Sequence, residues 1–587
     1  MQVCKKLLFL LNYRDRKKAF ILLIMLTIMA LLDMIGVASI LPFIAVLSNP
    51  SIIETNIILN TIFKTSSILG VNNVQEFIFA LGLLVFVLLI ISLSFKAFIT
   101  YFQSRFIQLC EYNISTRLIK RYLEQPYSWF LSRHSADLGK NILSEVNQIV
   151  GTGINTIIDL IAQVMVTIAL IFLLSIVSLK LTIIIGFLFG LIYLLIFYFV
   201  NSYLNQIGKE RLKNNQLRFT AVSEAFGAAK ELKVGGLENT YIKSFSNFAQ
   251  VIARTQASIN VIAKLPRFIL EAVAFGGVLL IILYEMRQTA TFSNILPIIS
   301  LYVFAGYRLM PALQQIYSSI TLLTFVTPTI DKIYYELQNL KSSNINEKKE
   351  ILFFNESISL KDIYYDYPNS SRTALKDINL NIPAKSIVGF MGATGSGKTT
   401  IIDIILGLLE PQKGTLKVDG TIIKEQNSRS WQASIGYVPQ NIFLIDDSIA
   451  ANIAFGKDIK DINQDEVEKV SKIANLHDFI ISDLPKKYQT IVGEQGVRLS
   501  GGQRQRIGIA RALYNKPKVL ILDEATSALD NKTEEKVMDA ITRLSKNITI
   551  VLIAHRLTTL KNCDIIYNLE KGQVVESGTY DELINKN

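Results

Sequence analysis

The stretch "SIVGFMGATGSGKTTIIDIILGLL", residues 386–409, joins an apolar strand, a glycine-rich loop and an apolar helix. Glycines let the loop close around a phosphate, so that its N–H groups and the N-terminus of the helix face the anion. In this motif Lys398 reaches the terminal phosphates of a nucleotide and Thr399 can ligate Mg²⁺. The stretch therefore predicts a nucleotide-binding α/β domain, with its phosphate site at Gly392, Ala393, Thr394, Gly395, Ser396, Gly397, Lys398, Thr399 and Thr400.

A second motif supports this prediction. "KVLILDEATSALD", residues 518–530, has the pattern of a buried strand that ends in Asp523 and Glu524. An acidic pair at such a strand end can hold Mg²⁺ with the first carboxylate and orient or deprotonate the attacking water with the second. Together the two motifs predict an enzyme that binds a nucleotide with Mg²⁺ and directs a water at its phosphate.

A third motif carries a family resemblance. "LSGGQRQRIGIARAL", residues 499–513, resembles the signature of the ATP-binding-cassette (ABC) ATPases and stands just before the strand that ends in Asp523, as it does in that family. Tyr367 in "YYDYP" resembles the aromatic residue that stacks on adenine, and Gln440 in "IGYVPQ" resembles the Q-loop glutamine. "VGEQG", residues 492–496, is similar to a loop found in exporters of this family.

Two further positions match the family. Asp530, at the end of "SALD", resembles the aspartate of the conserved loop called the D-loop, and His555 in "IAHRL" resembles the switch histidine. The resemblance implies that each ATP lies between the phosphate loop of one cassette and the signature of another, so the chain is expected to act as a homodimer. It implies catalytic roles for Glu524, His555 and Gln440. It also implies Mg²⁺ ligands at Thr399, Gln440 and Asp523, and nucleotide contacts at Tyr367, Ser500, Gly501, Gly502, Gln503 and Asp530.

The first half of the chain has the composition of a membrane protein. Half of the 587 residues are apolar, and six long apolar segments occupy approximately 19–47, 77–103, 156–179, 181–201, 267–285 and 293–327. Each segment supplies the ~20 residues that a spanning helix needs. The net charge of +12 does not point to nucleic acid, since much of the excess lies beside these segments. Three widely spaced cysteines suggest neither a disulfide framework nor a metal site.

The lysines and arginines predict the orientation in the membrane. Residues 1–18 carry six of them, 104–150 six and 201–267 ten, whereas the 48–76 loop carries only Lys64. Basic loops stay on the cytoplasmic side, so both termini and the cassette are expected there. We expect the segments 104–150 and 201–267 to form long helical extensions of the spans, with short docking helices near 126–143 and 224–242.

These observations predict a six-helix transmembrane domain of the ABC exporter type at 1–330, a linker at 331–350 and an α/β P-loop cassette at 351–587. The spans "LLDMIGVASILPF" (31–43), "LPRFILEAVAF" (265–275) and "YRLMPALQQI" (307–316) resemble those of bacterial lipid-linked oligosaccharide flippases of the PglK type. This resemblance implies that the cargo is a polyprenyl-pyrophosphate-linked glycan, moved to the periplasmic leaflet of the bacterial inner membrane. Lipid A or phospholipid flippases and multidrug exporters share the architecture and are the alternatives.

Cations within the spans fit an anionic, lipid-linked cargo. Arg308 and Arg267 are the first candidates to meet a pyrophosphate, and Lys96 is the third. A charged side chain in hydrocarbon costs at least ~2.5–3.5 kcal/mol, so such residues usually serve a function. The alternative is that Asp33 and Glu271 pair with the arginines inside the bundle.

Two other functional classes are less consistent with the sequence. A soluble cassette protein of nucleic-acid repair or translation would not carry six fused spans. A degenerate cassette that gates or regulates would lack a catalytic residue, whereas Glu524, His555 and the complete signature are present. The sequence therefore favours a working pump.

Overall fold

The computed structural model describes residues 2–584 apart from 67–70, 72, 178, 288–291, 342–351, 353, 369–371 and 555–556. Most side chains between 273 and 308 also lie outside this description. Contacts divide the chain into two compact units, Met1–Gln125 with Arg133–Ser343, and Pro126–Ser132 with Asn344–Asn587. The first unit is helical and the second contains mixed strands and helices, as the sequence predicts.

Helices of three to 50 residues build the first unit. In chain order they are α1 Gln2–Leu10, α2 Tyr13–Ala38, α3 Ile40–Ser48, α4 Ile52–Thr55, α5 Ile57–Ser66, α6 Val74–Leu123, α8 Ser135–Lys140, α9 Val146–Gln148, α10 Asn155–Val177, α11 Leu179–Gly227, α12 Ala229–Gly235, α13 Glu238–Arg287 and α14 Phe292–Asn339, with α7 Tyr127–Leu131 assigned to the second unit. Two π-helical segments, Asn141–Glu145 and Ile149–Ile154, connect α8, α9 and α10. A π segment widens the helix by one residue per turn, so the side chains on either side of it change face.

Five helices among the described residues are long and apolar enough to cross a membrane. They are Tyr13–Leu47, Val74–Leu123, Ser135–Ile176, Gly190–Gly227 and Leu309–Asn339. Each overlaps one predicted span. The remaining predicted span, 267–285, falls within α13, where many side chains lie outside the description.

The spans continue as helices well beyond the length of a bilayer. α6 reaches Leu123, α11 reaches Gly227 and α13 begins at Glu238, so both inner segments are helical as expected. The short helices α7 and α12 lie inside the two stretches predicted to hold docking helices. α14 ends only at Asn339, so its last turns occupy the first part of the range predicted as a linker. Ile333, Leu337 and Leu340 are buried at spacings of four and three residues, so the apolar face of the helix continues through this range.

The second unit is built from two sheets and surrounding helices. Its strands are β1 Ser357–Asp366, β2 Thr373–Pro383, β3 Ile387–Met391, β4 Lys413–Val418, β5 Thr421–Ile422, β6 Ile435–Val438, β7 Val519–Asp523, β8 Thr549–Ile553, β9 Ile565–Glu570 and β10 Gln573–Gly578. Its helices are α15 Lys398–Ile405, α16 Ser428–Gln432, α17 Ile449–Ile453, α18 Gln464–Ile473, α19 His477–Asp483, α20 Gly501–Tyr514, α21 Asn531–Leu544 and α22 Tyr580–Ile584.

The larger sheet has the order β10-β9-β3-β8-β7-β6. Its five strands from β9 to β6 run parallel, and β10 pairs antiparallel at the edge. The smaller antiparallel sheet has the order β2-β1-β4-β5. Ligands of parallel α/β sheets bind beyond the carboxyl ends of the strands, which places the candidate site after β3 and β7.

Both faces of the parallel sheet are covered. Alternate residues of β7 enter two separate apolar clusters, Leu520 and Leu522 with the α20 side, Val519 and Ile521 with the α15 side. Every residue of β7 and β8 is buried. Continuous burial explains why these strands read as unbroken apolar runs in the sequence.

Candidate functional site

The phosphate loop joins β3 to α15. Three of its glycines adopt positive φ angles, 141° at Gly392, 80° at Gly395 and 104° at Gly397. A Cβ atom at Gly392 would overlap the carbonyl oxygen of Leu569, so only glycine fits this turn. The loop therefore presents backbone, with no obstructing side chain at these positions, just before the N-terminus of α15.

Lys398 is the first residue of α15, and its ammonium group is held inside the loop. Its Nζ donates to the carbonyl oxygens of Gly392 at 2.8 Å and Ala393 at 3.0 Å. Burial lowers the pKa of Lys398, while the carboxylates of Glu524 and Asp523 oppose this shift. A buried ammonium that is held by two carbonyl oxygens can exchange these contacts for the oxygens of a phosphate.

Ser396 supplies an independent test of whether the loop fits a nucleotide. Its Oγ is buried and has no hydrogen-bond partner among the described residues. A buried hydroxyl without a partner costs free energy, about 1–3 kcal/mol, unless a ligand satisfies it. The first N–H groups of α15 likewise have no partner within the helix. The unsatisfied donors at the loop therefore match the oxygens of a bound triphosphate.

Tyr367, the predicted adenine-stacking residue, lies beside the start of α15. Its hydroxyl is 3.0 Å from the Thr400 Oγ1, and its ring meets that of Tyr365 edge-on at 5.2 Å. Burial raises the pKa of Tyr367, so the hydroxyl stays protonated at neutral pH. The structure thus brings the predicted aromatic residue to the phosphate loop, with its ring half-buried.

The acidic pair stands at the carboxyl end of β7. Asp523 is buried, whereas Glu524 is partly exposed and has a φ of 50°. A left-handed backbone is strained for glutamate and is typical of functional positions. The Glu524 Oε2 accepts a hydrogen bond from Gln440 Nε2 at 2.7 Å. Two residues predicted as catalytic, 84 positions apart in the chain, are therefore in contact.

The candidate Mg²⁺ ligands are oxygen donors. Thr399 offers a hydroxyl, Asp523 a carboxylate and Gln440 an amide oxygen, which are the hard ligands that Mg²⁺ prefers. Among the described residues there is no cluster of three or more histidine, cysteine or acidic side chains that could hold a metal on its own. This small donor set fits an ion that is completed by water and phosphate oxygens.

The signature motif forms the start of α20. Ser500 is the exposed N-cap, its Oγ accepting from the Gln503 N–H at 3.2 Å while Gln503 Oε1 accepts from the Ser500 N–H at 2.8 Å. Gly501 and Gly502 pack against Ala528, where larger residues would crowd the loop after β7. The described side-chain hydrogen bonds of Ser500 stay within its own helix, so its outer face is available to a ligand.

For two of the predicted site residues, His555 and Asp530, the structure shows no contact with the phosphate loop or the acidic pair among the described residues. His555 lies outside the described residues. The Asp530 carboxylate caps α21 by accepting from the Thr533 N–H at 3.0 Å, and these hydrogen bonds lower the pKa of Asp530. This contact orders the start of α21.

Two residues that the motifs did not single out contribute to the site. Gln505 donates to Ser527 Oγ at 3.0 Å and accepts from the Ala528 N–H at 2.9 Å, so it ties α20 to the loop that follows Glu524. Burial and the nearby Asp523 raise the pKa of Asp403 to about 6. An acid inside the apolar helix "TTIIDIILGLL" is the sequence signal that points to Asp403.

The short helix α7 belongs to the same compact unit as the cassette. Burial, and next the Asp403 carboxylate, raise the pKa of Tyr127 at the start of α7. Burial raises the pKa of the half-buried Tyr437, and Tyr127 adds to this shift. α7 therefore docks near the helix that begins at the phosphate loop, which supports the prediction of a docking helix within 126–143.

The three basic residues predicted to meet the cargo have different surroundings. Arg267 Nε donates to Glu271 Oε1 at 2.6 Å, the pairing that the sequence left open as the alternative to cargo binding. Lys96 is exposed on α6. Arg308 lies in α14, but its side chain is outside the description. The buried Asp33 accepts a hydrogen bond from Ser92 Oγ at 2.6 Å.

Comparison with protein families gives two matches along the chain. The family described as "ABC transporter transmembrane region" matches residues 18–309, and the family described as "ABC transporter" matches residues 375–527. A solved structure titled as a bacterial Atm1-family ABC exporter with ATP bound is similar with a TM-score of 0.77 and 20% identity, covering 98% of this chain and 97% of that one. This likeness concerns the fold.

Several curated proteins are similar over most of their length. The ATP-dependent lipid A-core flippase of Ralstonia nicotianae is 30% identical over 83% of this chain and 82% of its own. The protein of the same name from Wigglesworthia glossinidia brevipalpis is 31% identical over 81% of each chain. The heterocyst differentiation ATP-binding protein HepA of a Nostoc species is 30% identical over 85% of this chain and 82% of its own.

Proposed function

The chain belongs to the ABC transporter family as an exporter half-transporter, and from this premise we propose that it flips a phosphorylated glycolipid from the cytoplasmic to the periplasmic leaflet of a bacterial inner membrane. It is a multi-pass membrane protein that binds ATP and couples its hydrolysis to translocation. The observation that carries the cargo class is the similarity to lipid A-core flippases over about four-fifths of each chain, 83% of this chain for one relative and 81% for another.

Within the cassette, we assign each motif a role from its contacts. Lys398 and the phosphate loop bind the triphosphate, and Ser396 gains the partner that its buried hydroxyl lacks. Glu524 positions and deprotonates the attacking water, while Gln440 orients the Glu524 carboxylate through the 2.7 Å hydrogen bond. Mg²⁺, held by Thr399, Asp523 and Gln440, would neutralise phosphate charge.

The signature points to a homodimer. Ser500 sits at the exposed N-terminus of α20, a natural anion site because helix N-terminal N–H groups are unsatisfied. One chain has one phosphate loop and one signature, so two chains related by two-fold symmetry would form two identical ATP sites. ATP would then stabilise the closed pair of cassettes, and its hydrolysis would release them.

The cargo is the point at which the comparisons modify the sequence-based expectation. The short spans that resemble PglK-type flippases favour a polyprenyl-pyrophosphate glycan, whereas several of the similar curated proteins carry the name of lipid A-core flippases. Similarity that extends over both the transmembrane domain and the cassette outweighs short apolar motifs, so we place a lipid A-like glycolipid first. Both cargos carry sugars and phosphate, so both could be met by cations such as Arg308 and Arg267.

ATPase stimulation separates the cargo classes. The purified protein in lipid nanodiscs would be titrated in parallel with lipid A, a polyprenyl-pyrophosphate-linked oligosaccharide and a cationic drug. We expect lipid A to raise ATP turnover at the lowest concentration. Stimulation by the drug alone would contradict the glycolipid proposal, and stimulation by the oligosaccharide alone would restore the expectation from the sequence.

A further inference from the structure

A buried glutamate lies on the helix that follows the acidic pair. Glu534 of α21 is 8% exposed, whereas the next residue, Glu535, is exposed. The buried face of α21 is otherwise formed by Val537, Met538 and Ile541, at the three- and four-residue spacing of an apolar helix face. Glutamate is almost never buried unless its carboxylate is paired with another polar group. The position of Glu534 on this face therefore indicates a specific contact.

Two threonine hydroxyls donate to one oxygen of this carboxylate. Thr526 Oγ1 and Thr559 Oγ1 each lie 2.9 Å from Glu534 Oε1. An ionised carboxylate accepts hydrogen bonds and donates none, so both hydroxyl hydrogens point to it. Hydrogen bonds to a charged group are roughly twice as strong as those between neutral groups. The carboxylate therefore fixes the orientation of both threonine side chains.

The two threonines belong to different loops, each of which carries a proposed catalytic residue. Thr526 is two residues after Glu524, in the loop that leaves β7. Thr559 is four residues after His555, in the short 3₁₀ helix Leu557–Leu560 that follows β8. Because β7 and β8 are paired and parallel, both loops leave the sheet at the same edge. The buried carboxylate of α21 joins these loops to each other.

The loop after β7 is also held by a second helix. Gln505 of α20 donates to Ser527 Oγ at 3.0 Å and accepts from the Ala528 N–H at 2.9 Å. Gln505 therefore fixes this loop relative to α20, and Glu534 fixes it relative to the segment after β8. Catalytic groups must be held within about 0.5 Å of their productive positions, and contacts of this kind supply the constraint.

We propose that Glu534 is a positioning residue for ATP hydrolysis, which holds the loop that carries Glu524 and the segment that follows His555 in one arrangement. Its carboxylate acts through the hydroxyls of Thr526 and Thr559 and does not itself contact the nucleotide. Without these hydrogen bonds the two loops move independently, so the general base and the switch histidine no longer meet the terminal phosphate together. The inference rests on the proposed function, because it requires that Glu524 and His555 act on the same ATP.

Steady-state ATPase kinetics of the full-length protein in lipid nanodiscs test this role. Glu534→Leu removes both hydrogen bonds, whereas Glu534→Gln keeps a neutral acceptor of the same shape. The matched control is Glu535→Leu, the exposed neighbour on the same helix. Misplaced catalytic groups lower rates by up to ~10²-fold, so we expect kcat to fall about tenfold or more for Glu534→Leu, less for Glu534→Gln and not at all for Glu535→Leu. The KM for ATP and the Kd of a fluorescent ATP analogue should stay within about twofold of wild type, because binding does not require the two loops to be aligned.

A mutant cycle separates positioning from folding. Thr526→Val and Thr559→Val each remove one hydroxyl and nearly keep the shape of the side chain, so they test the same contacts by themselves if Glu534→Leu does not fold. Each should lower kcat by less than Glu534→Leu does. Thr559→Val should lower kcat no further in a Glu534→Leu background, because the contact is already lost. An equal effect of Thr559→Val in both backgrounds would show that it acts elsewhere and would overturn the inference.

The remaining outcomes distinguish the inference from the proposed function. If Glu524→Gln strongly lowers turnover while Glu534→Leu and both threonine variants keep the wild-type kcat, Glu534 has no positioning role and the ATPase assignment stands. A loss of kcat with an equal loss of ATP affinity, or an equal loss in Glu535→Leu, would also overturn the inference, because a general structural defect would explain it. If Glu524→Gln itself leaves turnover unchanged, the catalytic assignment fails and the inference fails with it.

Discussion

At the scale of single residues, the motifs predict which side chains bind and hydrolyse ATP, and the structure adds the hydrogen bonds and backbone conformations that position them. The sequence places Glu524 after a buried strand and Gln440 in a distant loop, but it does not specify their 2.7 Å contact or the strained φ of 50°. Both depend on how β6 and β7 pair in register, which is a long-range property. The sequence does not single out Gln505, because its hydrogen bonds reach Ser527 and Ala528, more than 20 residues away in the chain.

Replacing Glu524 with glutamine tests the catalytic assignment. Glutamine keeps the shape and can still bond Gln440, but it cannot accept a proton from water. We expect ATP binding to persist and turnover to fall by at least ~10²-fold, the scale of a lost general base. Measured ATPase activity near the wild-type level would remove Glu524 from this role. The exposed Glu535→Gln serves as control and should leave turnover unchanged.

A buried ion pair in the helical unit offers a stability test. Arg211 Nη1 donates to Glu145 Oε2 at 2.6 Å and to Thr329 Oγ1 at 3.3 Å, and Asn215 Nδ2 donates to Glu145 Oε1 at 2.7 Å. Arg211→Met leaves the buried Glu145 without its cation, which typically costs about 3–5 kcal/mol. We expect a clear drop in melting temperature in detergent, partly restored by adding Glu145→Gln.

The control for this pair is a solvent-exposed one. Lys233 and Glu238 form an ion pair with side-chain exposures of 76% and 41%, and such pairs contribute about 0–1 kcal/mol. Lys233→Met should therefore barely change the melting temperature. A drop as large as that of Arg211→Met would show that charge removal in general, and not the buried network, destabilises the protein.

At the scale of elements, the sequence predicts the long helices well because their apolar runs exceed the bilayer thickness. It does not predict the interruptions. The π segment Asn141–Glu145 contains neither proline nor glycine. Ile149–Ile154 contains two glycines, and Pro42 of α3 follows the end of α2 by four residues, where it removes a helical hydrogen bond. These residues do not predict a break by themselves, because Pro266 lies within the continuous helix α13. The sequence also does not predict that α14 continues to Asn339 within the expected linker 331–350, because the polar residues in "YYELQN" suit a helix surface as well as a linker.

Gly208 lies where α11 packs directly against the backbone of α14. An added methyl group would overlap the Phe325 carbonyl oxygen and force α11 away from α14, and overpacking of this kind typically costs about 1–3 kcal/mol. We expect Gly208→Ala to lower the melting temperature and weaken coupling of ATP hydrolysis to transport. Gly190→Ala lies in the same helix with nothing within 4 Å of the new methyl group. It should be neutral or stabilising, and an equal effect of both changes would contradict the packing argument.

At the scale of the whole molecule, the two compact units correspond to a helical membrane domain and a cassette, a division that the composition of the chain already suggests. The cassette motifs are specific because phosphate chemistry restricts their residues, so the ATPase could be predicted from the sequence. The cargo could not, since apolar spans of many lengths and compositions cross a bilayer equally well.

Mixed dimers test whether two chains share each ATP site. Lys398→Ala disables the phosphate loop and Ser500→Arg disables the signature. Co-reconstitution yields mixed dimers in which one composite site is intact and the other carries both lesions. If the site forms between chains, some ATP hydrolysis returns relative to either mutant alone. A mixture as inactive as its components would mean that both motifs act within one chain.

Lipid movement itself tests the central claim most directly. Labelled lipid A would be incorporated into proteoliposomes with outward-facing cassettes, and its transfer to the inner leaflet would be measured as protection from a membrane-impermeant quencher. The account predicts that ATP increases protection with wild-type protein, whereas ADP, or ATP with the Glu524→Gln variant, does not. The contradicting result would be equal protection with ATP and with ADP in wild-type protein that hydrolyses ATP. The protein would then not be an ATP-driven lipid A flippase.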